Sequence, residues 1–330
     1  MTNEISRARL LRAIPLALAG AALLMGGVSA QAQAWPAKPV RLVVSYPPGG
    51  TVDAVARIVA PKLSAKLGQP VVIDNRGGAG GAIGGDLVAK SSPDGYTVLL
   101  DASNHAQNPA LRKMPFDTLR ELAPVSLLVK VPNVLVVNPS APMKNVADLI
   151  AQAKAKPGGI NYASSGNGSA QHLAGELFAS MAGVQMTHVA YKGGGPALTD
   201  VMSGHVPVFF ASMASSLPFI QSGKLRALAV TGKAHAPALP QLPTVAQAGL
   251  PGYEVYEWNA VFVPAGTPAP VVERLSKELA ATLKDPEVRG RLEALGAEVI
   301  GSSPAELDGF RRAEITKWTK LAKDNKIQMD

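Results

Sequence analysis

The chain has 330 residues, a formal net charge of +8 and no cysteine. Without thiols it has no disulfide, no cysteine nucleophile and no thiolate metal site. Its Lys and Arg residues are scattered, with no basic run and no interleaved aromatics, which argues against nucleic-acid binding and supports only mild steering of anionic solutes.

The first 34 residues read as a secretory signal. Arg7, Arg9 and Arg12 make a basic start, residues 13–28 are apolar, and SAQAQA offers small-residue cleavage sites after Ala30, Ala32 or Ala34. The apolar run is short for a membrane span, and no later segment reaches about eighteen unbroken apolar residues. No cysteine follows that could accept a lipid, so the mature chain is expected to begin near Trp35, free in the periplasm and not a lipoprotein. Removing Arg7, Arg9, Arg12 and Glu4 leaves +6 on that mature chain. Residues 35–330 exceed the usual single-core domain, so two lobes are expected.

Short apolar strands then alternate with helical periodicity, the pattern of α/β layers. Strands are predicted at 40–45, 71–74 and 97–101, with helices at 52–67 and 82–90 between them. A second strand group follows at 125–129 and 134–137, then a helix from its cap Asn145 through Lys154, with Asp148 placed as in a capping box. The logic repeats with strand 160–163, helix 169–181, strand 188–191, helix 196–202, strand 206–211 and a strand at 225–230. A proline-rich passage, 235–251, leads to an extended segment, YEVYEWNAVFVP. Helices at 270–284 and 286–295 precede a last helix from Pro304, opened by a Ser303/Glu306 capping box.

One internal echo locates a hinge. VVNPSAPMKNVADL at 136–149 and VFVPAGTPAPVVERL at 261–275 share a strand, a proline-bounded turn and a helix. If these are the two crossings, one lobe comprises 35–137 plus 259–330 and the other 138–258.

Three strand–loop–helix junctions carry the functional reading: LVVSYPPGGTVD at 42–53, INYASSGNGSAQ at 160–171 and HVAYKGGGP at 188–196. Each aims unpaired backbone N–H groups, at the positive end of a helix dipole, toward one point, which suits a small anion. In the first, Tyr46 opens the loop, Pro47 and Pro48 stiffen it, and Gly49 and Gly50 let backbone approach a ligand. Thr51 serves as cap or donor, and Asp53 either complements the dipole or meets a water or a ligand amine. In the second, Ser164, Ser165 and Ser169 offer hydroxyls, Gly166 and Gly168 free the backbone, and His172 is a packed ring or a contact. The bland reading of Ser169 is a helix cap with nothing bound. In the third, Tyr191 offers a hydroxyl, Gly193 and Gly194 expose backbone, and Lys192 is a counter-charge to the ligand or, as a strand-end lysine usually does, snorkels to solvent. Ser103, Asn104 and Ser212, each at the end of a predicted strand, are further candidates for the cleft lining.

Enzyme signatures are missing. GGAGGAIGG at 77–85 lacks the regular G-x-G-x-x-G and an acidic partner at the required distance, so it reads as a tight structural turn near the cleft. Gly232-Lys233 is followed by Ala234, so there is no P-loop. His105, His172, His188, His205 and His235 show no zinc spacing, and GNGSA is not a nucleophile elbow.

Taken in order, WPAKPVRLVV, YPPGGTVDAVAR, VVIDNRGGAGGAIGG, SPDGYTVLL, ASSGNGSAQHLAGELF, HVAYKGGGPALTDVMSGHV, LPTVAQAGLPGYEV and VPAGTPAPVVERL span the mature chain. In these motifs the chain resembles the substrate-binding proteins of tripartite tricarboxylate transporters, the Bug/TctC group. The resemblance implies a two-lobed periplasmic-binding-protein fold, type II-like, with two Rossmann-like α/β lobes and a hinge between them. It implies a small carboxylate held by loop N–H groups, hydroxyls and waters without an arginine clamp, then handed to membrane permease subunits. Two departures stand out: Arg76-Gly77-Gly78 where Arg-Pro-Gly is commoner, and the glycine-rich Gly193-Gly194-Gly195.

The expectation is a monomeric solute receptor, not an enzyme, with no cofactor, no metal and no nucleic-acid partner. A periplasmic sensor of the same fold and a secreted serine hydrolase built on Ser169 are the alternatives. Dicarboxylates, tricarboxylates, amino acids and aromatic acids all fit a backbone-lined site.

Overall fold

A computed structural model of the chain describes residues 35–191, 193–325 and 327. The expected signal, with its cleavage sites at Ala30, Ala32 and Ala34, and the side chain of Lys192 lie outside these residues. Residues 35–37, with a cis Trp35–Pro36 peptide, belong to a unit separate from the main body. The main body begins at Lys38 and is mixed α/β.

A first βαβαβ run comprises β1 (Val40–Val44), α1 (Thr51–Leu67), β2 (Val71–Asn75), α2 (Ala82–Ala89) and β3 (Thr97–Ala102). Strand β1 lies between β2 and β3, all parallel, so Val43 pairs with both Asp74 and Leu99. The near-continuous apolar run VRLVV suits a strand covered on both faces. Helix α1 ends at Gly68, whose φ of 71° supplies the left-handed cap.

Helix α3 (Asn104–Leu111) follows, then the 16-residue strand β4 (Leu122–Val137) and α4 (Val146–Ala155). The Asn145 side chain caps α4 by accepting from the Asp148 N–H, as expected. A second βαβαβ run repeats the first: β5 (Asn161–Ser164), α5 (Ala170–Ala182), β6 (Thr187–Ala190), α6 (Gly194–Met202) and β7 (Val208–Ser212). Here β5 lies between β6 and β7, again parallel. The chain continues through α7 (Met213–Gln221), β8 (Arg226–Val230), β9 (Tyr256–Pro264), α8 (Ala269–Leu283), α9 (Pro286–Ala294), β10 (Glu298–Val299) and α10 (Pro304–Asp324). The capping box at Ser303 and Glu306 is formed in both directions.

The described strands join in the order β2-β1-β3-β9-β4-β7-β5-β6, with β8 and β10 also on β4. Two expected strands, 125–129 and 134–137, are one. Strand β4 pairs with β9 as far as Pro132 opposite Tyr256, and with β7 from Asn133 opposite Ser212. Pro132 lacks a donor, and it falls where the ladder changes partner, so the strand passes through it unbroken. Helices α3 and α7 were not anticipated, because each starts directly at the end of a strand with no spacer loop.

One contiguous apolar cluster runs through both βαβαβ runs, with Trp258, Phe210, Phe262, Leu99 and Tyr162 wholly buried. Helix–sheet contact is close at Gly175, where an added Cβ would lie 2.2 Å from the Tyr162 ring.

Candidate functional site

The parallel strands of both runs end at one cleft of about 750 Å³. Its walls are Tyr46 and Gly49–Val52 after β1, Gly80 after β2, Ala102, Ser103 and Asn104 at the end of β3, and Ser165, Asn167 and Ser169–Gln171 after β5. Gly193–Gly195 after β6, Ser212, Ala214 and Ser215 at the end of β7, and Glu257 and Asn259 on β9 complete it, with Ala54, Arg112 and Leu295. The carboxyl ends of parallel strands are where open α/β sheets bind ligands.

Behind the first junction is a knot of hydrogen bonds around Asp53, which is 3% exposed. Its carboxylate accepts from Arg57 Nε at 2.8 Å, from the Gly49 N–H at 2.9 Å and from Asn75 Nδ2 at 3.0 Å. The Arg57 bond, with those from Gly49 and Asn75, outweighs burial and holds the carboxyl down at about 2. Asn75 Nδ2 also donates to the Tyr46 carbonyl, so the loop is tied at both ends. Gly50 is the N-cap of α1 in extended conformation, and Thr51 is its first helical residue, with no side-chain cap bond formed. The N–H groups of this first turn have no carbonyl a turn back to accept them. A Cβ added to Gly50 would meet only the Pro47 carbonyl, at 3.9 Å.

At the second junction Ser169 is both cap and wall, its Oγ accepting from the His172 N–H at 3.2 Å. Gly168, at φ 69°, donates its N–H to His172 Nδ1 at 3.1 Å. Its carbonyl accepts from Asn104 Nδ2 at 3.1 Å, a bond from the start of α3 to the second run. The rings of His172 and His188 stack at 3.9 Å, and His188 Nε2 lies 2.6 Å from Ser164 Oγ. Burial, then the neighbouring His188, lowers His172 to about 3, and burial lowers His188 to about 4. Both rings are thus neutral near pH 7, as an accepting Nδ1 requires.

At the third junction Gly193, at φ 106°, donates to the Ser165 carbonyl at 3.2 Å, stitching this loop to the second. Tyr191 turns away and donates to Asp200 Oδ2 at 2.6 Å, while burial and that bond raise its phenol to about 12.

Of the residues singled out from sequence, Tyr46, Gly49, Gly50, Thr51, Ser103, Asn104, Ser165, Ser169, Gly193, Gly194 and Ser212 meet at the cleft. Pro48, Asp53, Ser164, Gly168, His172 and Tyr191 are not among its walls. Asp53, Ser164, Gly168 and His172 form the hydrogen-bonded backing of the loops.

Gly80, Arg112, Asn167, Gln171, Glu257 and Asn259 went unrecognised in the sequence. Gly80 lies in the glycine-rich turn 77–81, and its carbonyl accepts from Tyr46 Oη at 3.3 Å and Asn108 Nδ2 at 2.9 Å. The Gln171 side-chain amide donates to Glu257 Oε1 across the cleft. Burial raises the Glu257 carboxyl to about 7, partly offset by that bond. Tyr46 is raised by burial and by the charges of Asp101 and Glu257, with Arg112 opposing. An acidic residue inside the apolar run YEWNAVFVP was the available signal for Glu257.

Among the described residues no group of His, Asp and Glu is placed to hold a metal, and no helix is long and apolar enough to cross a membrane.

Protein BugT of Bordetella pertussis is 38% identical over 314 residues, covering 94% of this chain and 96% of BugT. The Rpa4515 protein of R. palustris, solved with adipate, is 40% identical with a TM-score of 0.79, covering 89% of this chain and 99% of its own. MatC of Rhodopseudomonas palustris, solved with bound malate, is 31% identical with a TM-score of 0.76, covering 87% of this chain and 99% of MatC. The profile of the tripartite tricarboxylate transporter family receptor, TctC, matches residues 55–327. With that match across most of its length, the chain belongs to the TctC family of solute-binding receptors.

Proposed function

We propose that this protein is a periplasmic receptor that captures a small carboxylate and delivers it to the permease subunits of a tripartite tricarboxylate-type transporter. The observation that carries this reading is the convergence of three strand-to-helix junctions, each opening a helix, on one cleft. Carboxylate oxygens accept up to four hydrogen bonds, and oriented amides in a water-poor cleft supply them without a flexible cation. The dicarboxylates in Rpa4515 and MatC support this ligand class. The receptor reading is further supported at Ser169, whose Oγ accepts from the His172 N–H while His172 Nδ1 accepts from Gly168, an arrangement without a general base for the hydroxyl.

The two lobes are residues 35–137 plus 259–330 and residues 138–258, hinged at the two crossings between them. Closure follows because the closed form makes more bonds to the ligand than the open form. Thermal melting against a carboxylate series tests the ligand class: an acid at about a hundred times its Kd adds about 2.7 kcal/mol of stability. Gly50→Val is expected to abolish that shift in a protein that still folds with a modestly lower unliganded melting point, because its Cβ meets only the Pro47 carbonyl at 3.9 Å and Val is a poorer helix cap than Gly, while the side chain fills the cradle. Melting points unmoved by every carboxylate, with sugars or cations raising them, would show the ligand class to be wrong.

A further inference from the structure

The cleft has two chemically opposite sides. The junction loops and the helix starts behind them present N–H donors. Strand β9 presents Glu257 and Asn259, two residues apart and therefore on one face. Asn259 is 3% exposed; its Nδ2 is committed to the Trp258 carbonyl at 3.0 Å, and its buried Oδ1 has no partner among the described residues. Glu257 receives one donor, the Gln171 amide, on Oε1. A carboxylate accepts at both oxygens, so Oε2 remains for a second donor. The β9 side of the cleft is an acceptor surface awaiting a hydrogen-bond donor.

Resting on the carboxylate reading above, we propose that Glu257 determines specificity and that the ligand is an aliphatic acid bearing a donor nitrogen, ammonium or carboxamide, distal to the bound carboxylate. A plain diacid would place a second negative charge beside Glu257 and could bind only by holding that carboxyl protonated, since like charges in a partly buried site repel. An ammonium there gains a charge-assisted bond. Among the described residues the cleft's cationic side chain is Arg112, which donates from Nη1 to the Ala79 carbonyl at 3.3 Å, on the side of the 79–81 turn. Tyr46, whose phenol donates to Gly80, is the other titratable group on that side.

The test is titration calorimetry on the whole mature protein at pH 7 with matched sets of aliphatic acids. In each set one carboxylate is kept, and the other is retained or replaced by ammonium, carboxamide or methyl. The nitrogen-bearing members are expected to bind about tenfold or more tighter than the diacid of equal length, a hydrogen bond to a charged group being worth that much. An ammonium also draws Glu257 into its ionised form, so its binding releases protons, seen as a heat that depends on buffer ionisation enthalpy. Glu257→Gln should erase the proton release and the preference for ammonium over carboxamide while leaving carboxamide binding. Two results overturn the assignment while leaving the carboxylate reading intact: a diacid binding tightest, as it would if Arg112 read the far end, or identical selectivity in wild type and variant. If no acid in any set binds, both readings fall.

Discussion

Asp53 shows how one buried side chain sets the shape of a binding loop without meeting the ligand. Its carboxylate gathers the Gly49 N–H, Arg57 and Asn75, and the Asn75 amide in turn grips the Tyr46 carbonyl. Because its folded pKa is about 2, below the usual 3.8, the carboxylate contributes stability above pH 3.8 that is lost as pH falls toward 2. Asp53→Asn should remove about 1–2 kcal/mol, a figure reduced for the half-exposed Arg57, and flatten stability in that acid window. Urea titrations of both proteins at several pH values check this; equal midpoints throughout would mean the knot contributes nothing. Sequence alone left open whether Asp53 was a contact or a dipole complement, since a first-turn carboxylate looks the same either way.

At the scale of the element, the junction after β5 depends on two histidines that no spacing rule joins. His172 comes from α5 and His188 from β6, and only the parallel pairing of β5 with β6 stacks them. Their depressed pKa values, about 3 and 4 against 6.5, mean the unfolded chain binds more protons below pH 6.5, so stability falls on acidification through that range. Glu257, raised from 4.5 to about 7, works in the opposite direction between those values, so the histidine contribution is read as a difference. His172→Gln should reduce the acid loss between pH 6.5 and 4 in chemical denaturation, while wild-type affinity should hold on this account until pH nears 3, where the ring protonates and ceases to accept from Gly168. Matching pH profiles for variant and wild type would rule this out. The loops themselves were legible in the sequence because glycine and serine clusters between a strand and a helix have few other uses. Arg112, Gln171 and Glu257 were not, because their meeting depends on which strands become neighbours: β9 arrives between β3 and β4 from the far end of the chain.

Across the whole molecule, the doubled βαβαβ plan was readable from alternating periodicity, but the continuity of β4 was not. A proline in an apolar stretch normally marks a break, and only the change of partner from β9 to β7 makes it harmless here. Two bonds already tie the second run to elements outside it, from Asn104 at the start of α3 to the Gly168 carbonyl and from the Gln171 amide to Glu257 on β9. A ligand that draws the cleft together should lower the radius of gyration in small-angle scattering, and Asn104→Ala should weaken affinity by roughly fivefold, the worth of one ordinary hydrogen bond. A radius unchanged at saturating ligand would show that capture needs no closure.

The shared strand also governs how the chain can be assembled. Leu99 waits for Phe262 as its neighbour across the ladder, so the amino-terminal sheet keeps an open edge until most of the polypeptide has emerged. An unpaired edge invites pairing with other chains, and neither half should survive as a soluble fragment when expressed by itself. The receptor is two cups moulded from a single length of wire, and severing that wire between Pro132 and Asn133 should leave neither cup standing.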